Sequence, residues 1–87
     1  MPVSVRLNLP LQQITGQEVI SVSGDSVMMC LVDLMQRYPE ARDQLFNRDG
    51  SLAPIILLNN ELLPGQDLNH PVTEADELWL MSFVDGG

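Results

Sequence analysis

Lysine is missing from the 87 residues, and the four cations, all arginine, face twelve acidic side chains for a net charge of −8. That balance speaks against nucleic acid and anionic membrane as partners, because neutralising phosphates needs clustered cations. An acidic chain is steered instead toward a basic partner surface. Without an ε-amino group the chain cannot accept an isopeptide bond, so polymers of it linked through lysine are excluded. A single cysteine, Cys30, rules out an internal disulfide and the four thiolates of a ferredoxin-type cluster. Flanked by Met29 and Leu31, with no cation beside it to lower a thiol pKa, it reads as a small buried apolar residue rather than a nucleophile. The lone histidine, His70, precedes Pro71 and has no second ligand at zinc spacing. No apolar run approaches the roughly 18 residues of a membrane span. Met1-Pro2-Val3 lacks the charged start and apolar stretch of a signal peptide, so cytoplasm is the expected compartment.

What is present is a chain with 45 % apolar residues, enough for one core, read as a single domain over residues 1–87 with 85–87 as a flexible tail. Val3, Val5, Leu7 and Leu9 alternate with Ser4, Arg6 and Asn8, the period of a strand with one buried face. Glu18 to Val22 reads as its partner, making a hairpin with a long loop over residues 10–16. Gly24-Asp25-Ser26 opens a helix, Asp25 or Ser26 serving as its cap. Val27, Cys30, Leu31, Leu34 and Tyr38 then share one helical face, widened by Met28, Val32 and Met35, until Pro39 stops it. A short helix over residues 39–46 follows.

Ile55 to Leu58 is a buried strand, and Asn59-Asn60 a tight turn into Glu61-Leu62-Leu63, since asparagine tolerates positive φ. Leu78 to Val84 forms the last strand. The carboxylates Asp33, Glu40, Asp43 and Asp49 read as a solvated face, and no histidine-supported nucleophile or acid–base pair stands out. The fold class expected is α+β, one mixed sheet of four to five strands packed on one main helix.

The chain closes on Gly86-Gly87 directly after that apolar strand. Two glycines thread a slot too narrow for other residues. This order of elements is that of the ubiquitin-like β-grasp, and the sequence resembles the ThiS/MoaD family of sulfur carriers over nearly its whole length. Thr15-Gly16-Gln17-Glu18, Gly24-Asp25-Ser26-Val27, Tyr38-Pro39-Glu40, Ile56-Leu57-Leu58-Asn59-Asn60-Glu61, and the block from Asp76-Glu77-Leu78 to Val84-Asp85-Gly86-Gly87 carry the resemblance. The Tyr-Pro helix end and the long insert after it look most like the carriers for cysteine and molybdopterin synthesis. Two departures are Asp85, where such carriers have a small residue, and Ala75, where glycine is frequent.

The resemblance implies a protein cosubstrate, not an enzyme. Its Gly87 carboxylate would be adenylated with ATP by an E1-like activating enzyme. A sulfurtransferase or other sulfur donor would convert it to a thiocarboxylate, and a sulfur-accepting synthase would take the sulfur for cysteine, molybdopterin, thiamine or a related metabolite. No cofactor is expected in the carrier itself, ATP being used by the activating enzyme. With Leu78 and Leu80 in the core, period two sends Trp79, Met81 and Phe83 to the outer face; these and Val84, Asp85 and Gly86 are the expected partner contacts. Two other functions fit the same chain. One is a ubiquitin-like modifier joined to lysines of other proteins, the other a non-covalent β-grasp adaptor.

Overall fold

The computed structural model describes residues 2–82. The expected contacts Phe83, Val84, Asp85 and Gly86, and Gly87, the expected reactive residue, lie outside them. Strand β1 (Pro2–Arg6) leads into helix α1 (Leu9–Thr15), strand β2 (Val19–Ser23) and the main helix α2 (Val27–Arg37). A 3-10 turn (Pro39–Ala41) runs into α3 (Arg42–Leu45), followed by β3 (Ile55–Leu58), β4 (Glu61–Leu62), a second 3-10 turn (Pro64–Gln66) and β5 (Glu77–Met81). The five strands form one sheet in the order β2-β1-β5-β3-β4. β1 and β5 run parallel, and the other neighbours are antiparallel. The sheet is mixed, as expected, with the full five strands.

The last strand, expected over Leu78 to Val84, ends at Met81 with Ser82 already outside it, and a second expectation fails near the N-terminus. Residues 10–15 of the expected loop lie in α1, and the strand, expected to continue to Leu9, stops at Arg6. The reason is local. Asn8 caps the helix by accepting a hydrogen bond from Leu11 N at 3.2 Å, Pro10 occupies the first turn, and Gly16 ends it with φ +75°. Leu11 is buried, whereas Leu9, which alternation assigned to the core, is 64 % exposed.

α2 buries Val27, Cys30, Leu31 and Leu34 against one sheet face, where they meet Val3, Val5, Ile20, Val22, Ile56, Leu78 and Leu80. Ser26 is its cap, accepting from Met29 N at 3.2 Å. The other free amides of its first turn are satisfied by distant chain, Val27 N by the His70 carbonyl at 3.0 Å and Met28 N by that of Leu68 at 2.8 Å. The long connection before β5 is thereby tied to the helix start. Gly24 lets β2 enter that start closely, since a Cβ there would lie 2.7 Å from Cys30 N and 2.9 Å from the Met29 carbonyl carbon.

Two carboxylates assigned to a solvated face also work structurally. Asp33 accepts from Ser23 N at 2.9 Å and lies 3.3 Å from Arg37 Nη2, which itself donates to the Ser21 carbonyl, so the pair clips α2 to the end of β2. Asp49 accepts from Ser51 N at 2.9 Å and Ser51 Oγ at 2.6 Å, closing the turn after α3, and these bonds hold its carboxyl below the ordinary value.

Asn59 and Asn60 form the expected tight turn with φ +52° and +72°. Gln66 has φ +49° and uses its side chain as a substitute strand: Oε1 accepts from Ile56 N at 2.8 Å and Nε2 donates to Ile56 O at 3.0 Å. That satisfies the edge of β3 where the two-residue β4 has ended.

At the start of β5, Asp76 accepts from Asn59 Nδ2 at 2.9 Å and from Thr73 N at 2.8 Å, while Asn59 Oδ1 accepts from Glu77 N at 2.9 Å. The Asn59 bond first, and then the Thr73 amide, hold the Asp76 carboxyl below its ordinary value of 3.8. A depressed carboxyl stabilises the fold above its unfolded pKa, and that contribution is lost as pH falls through the folded one. Asp76→Asn should therefore lower the melting temperature at neutral pH and flatten the acid limb below about pH 4, measured by thermal denaturation across pH. Gly24→Ala should cost about 1–3 kcal/mol in urea denaturation, because backbone and not a flexible side chain blocks the added methyl.

Candidate functional site

β5 is the strand that leads toward Gly86-Gly87, and it is flanked on both sides by paired strands. Leu78 and Leu80 are buried to 0 % and 1 % exposure, and Trp79 and Met81 lie on the opposite face. Strand register continues that face across the sheet. Val19 pairs with Arg6, Arg6 with Trp79, Trp79 with Leu57, and Leu57 with Leu62, so one lateral row of side chains crosses all five strands. Met81, paired with Ile55, begins the next row. Leu62 is 66 % exposed and Met81 37 %. A row of large apolar groups on an uncovered sheet face is uncommon for a protein that works alone.

Trp79 is half-buried because its neighbours hold it. The Arg6 guanidinium carbon stands 4.8 Å from the indole centroid, and indole Nε1 donates to Glu77 Oε1 at 2.9 Å. Arg6 Nη1 is 3.9 Å from Glu18 Oε1, a pair open to water and weak on that account. Its Nε is buried without a hydrogen-bond partner, so the side chain is kept in place by stacking more than by ionic contact. Sequence reading singled out the tryptophan and missed the arginine. Alternation sent Arg6 to the same face, but only the parallel β1–β5 register puts it over Trp79.

A groove of about 250 Å³ lies beside the end of β5, with Arg6, Trp79 and Met81 on one side, Leu9 and Gln12 of α1 on the other, and Ser82 at the strand's end. Gln12 is anchored there by donating to the Leu7 carbonyl at 2.8 Å. The helix absent from the sequence reading thus supplies a wall of the candidate site, including exposed Leu9.

Elsewhere the reactive residue types are inert. Burial, with Asp33 and Asp25 adding to it, pushes the Cys30 thiol up to about 11, so at neutral pH it stays protonated. His70 Nδ1 sits 2.8 Å from the Pro71 carbonyl, and its own carbonyl serves α2. Among the described residues no group of His, Cys, Asp and Glu could hold a metal ion, and no helix is long and apolar enough to cross a membrane. What this arrangement offers is an uncovered apolar face on β5, the strand that precedes residues 83–87 in sequence.

No family model and no curated protein matches the sequence. Solved structures do. The small archaeal modifier SAMP1 of Haloferax volcanii is 26 % identical, with all of both chains covered and a TM-score of 0.82. A chain of the BexX/CysO complex of Amycolatopsis orientalis is 22 % identical over 98 % of this chain and 99 % of that one, with a TM-score of 0.82. A chain of the complex between subunits 1 and 2 of the molybdopterin-converting factor of Helicobacter pylori is 24 % identical over the whole of both, with a TM-score of 0.63. The fold is the ubiquitin-like β-grasp. The resemblance to ThiS/MoaD proteins read from sequence is met by these structures.

Arg6→Ala should free the indole to water. As Trp79 is the only tryptophan, its emission should move to longer wavelength while the far-ultraviolet circular dichroism stays unchanged. Unchanged emission would mean that Arg6 does not shield the ring.

Proposed function

We propose that the chain is a sulfur carrier and a cosubstrate of other enzymes, its reactive group being the carboxylate of Gly87. A carboxylate is a poor electrophile. Attack of its oxygen on the α-phosphorus of ATP, within an E1-like enzyme, expels pyrophosphate and leaves an acyl adenylate. Hydrosulfide from a sulfur donor then attacks the carbonyl carbon and expels AMP, and the thiocarboxylate so formed, having lost the thiol proton, carries a nucleophilic sulfur to an accepting synthase. In this reading the folded body selects partners and Gly86-Gly87 enters their active sites, with Phe83, Val84 and Asp85 along the way.

The observation that carries the proposal is the row Arg6, Trp79, Leu57 and Leu62 with Met81, an apolar face with one cation on the strand that leads to the diglycine. It has the composition of an interface hot spot, rich in Trp and Arg. The likeness to chains solved in complex, with BexX in one case and between molybdopterin-converting factor subunits in another, supports a protein partner on such a chain. The likeness to SAMP1, a modifier by name, favours a second reading: the same activated carboxylate transferred to lysines of other proteins.

The test is ATP-dependent pyrophosphate release by the activating enzyme when this chain is added. Release is expected with the full chain and should vanish when Gly87 is removed; release that persists without Gly87 would contradict the proposal. Lysines of cell proteins carrying Val-Asp-Gly-Gly after cleavage at Phe83, dependent on this chain, would favour the modifier. Trp79→Ala should raise the Kd for the activating enzyme about 30-fold, equivalent to about 2 kcal/mol, measured by titration calorimetry with the melting temperature as a control for folding.

A further inference from the structure

A groove of about 820 Å³ lies on the helix layer, on the opposite side of the sheet from Trp79. Met28 and Met35, two turns apart on α2, and Phe46 form its apolar part, with Arg42, Asp43 and Arg48 alongside. Of the four arginines in the chain, Arg6 is near Glu18 and Arg37 pairs with Asp33. Arg42 and Arg48 make no ion pair among the described residues, and both border this groove. Asp43 offsets one of them, while the nearby Asp49 has its carboxylate engaged by Ser51.

We propose that this groove is a second protein-binding surface, taking an acidic segment with large apolar side chains from a partner. Charge complementarity selects that occupant. In a chain of net charge −8, the two cations without an ionic partner flank an apolar cleft, which fits a ligand bearing carboxylates next to apolar groups. A polyanion such as nucleic acid or an anionic bilayer would meet the repulsion of the whole chain, whereas a short acidic segment meets the two arginines within a Debye length of about 8 Å. Two methionines suit a peptide side chain of irregular shape, because their unbranched thioethers repack. The walls are held in advance: Asn47 Nδ2 donates to Ser51 Oγ at 2.9 Å, Asn47 N to Ser51 O at 2.8 Å, and Ala53 N to the Leu45 carbonyl at 2.8 Å. The surface is separate from the outer sheet face, so both can be occupied at once.

The experiment is titration of isotope-labelled full-length chain with a short synthetic peptide alternating glutamate and leucine, followed by amide shifts and by anisotropy of a fluorescein-labelled copy. Shifts are expected at Met28, Met35, Phe46 and Arg48, with affinity falling as salt rises. Arg42→Glu together with Arg48→Glu should weaken binding about tenfold, and the same peptide with glutamine for glutamate should lose a similar factor. Pyrophosphate release dependent on Gly87 should be the same in the double variant, which keeps this test independent of the sulfur-carrier reading. Absence of binding, shifts centred on Trp79 and Met81, an unaffected double variant, or inorganic phosphate competing for the same amides would each overturn the proposal.

Discussion

Burial of Leu78 and Leu80 beneath α2 is the contact on which the rest of the molecule depends. β5 is hydrogen-bonded to β1 on one side and β3 on the other, so its register fixes theirs. Each of the two leucines is almost fully enclosed, a kind of site where cutting leucine to alanine costs about 2–5 kcal/mol. Strand alternation then leaves no freedom for Trp79 and Met81, which must face away from the helix. One main helix covers one face of a five-stranded sheet, and the other face is available for recognition.

The chain uses its few cations locally. Arg37 joins Asp33 in fastening α2 to β2, and Arg6 lies against the indole, so two of four positive charges shape parts of the fold that present or support the candidate face. Turn chemistry does the corresponding work at the start of β5, where Asn59 and Asp76 bind each other and the backbone at Thr73 and Glu77. These polar contacts are small individually. Their effect is to set where the last strand begins.

Much of this was legible in the sequence because the governing rules act over a few residues. Ser26 before an apolar 3-4-7 pattern, Pro39 after it, and the Asn59-Asn60 pair are each signals that can be read from a few neighbouring residues. The error at α1 arose because Leu7 and Leu9 continue the alternation of Val3 and Val5; the deciding signals were Asn8, Pro10 and Gly16, a cap at each end and proline between. Other features required the tertiary structure. The stacking of Arg6 on Trp79 depends on a parallel pairing between residues far apart in sequence, and the use of Gln66 as a substitute strand depends on the 3-10 turn that brings it back to Ile56. The clip from Asp33 to Ser23 likewise appears only once α2 lies across β2.

The central claim is chemical: sulfur is carried on Gly87, and the outer face of β5 directs it to partners. Intact mass spectrometry of the untagged protein from its own cells, with fragmentation to locate any change, tests it most directly. The account predicts a population in which one oxygen at Gly87 is replaced by sulfur. A wholly unmodified Gly87 carboxylate in cells actively making sulfur metabolites, unchanged when ATP, activating enzyme and sulfur donor are supplied, would contradict it.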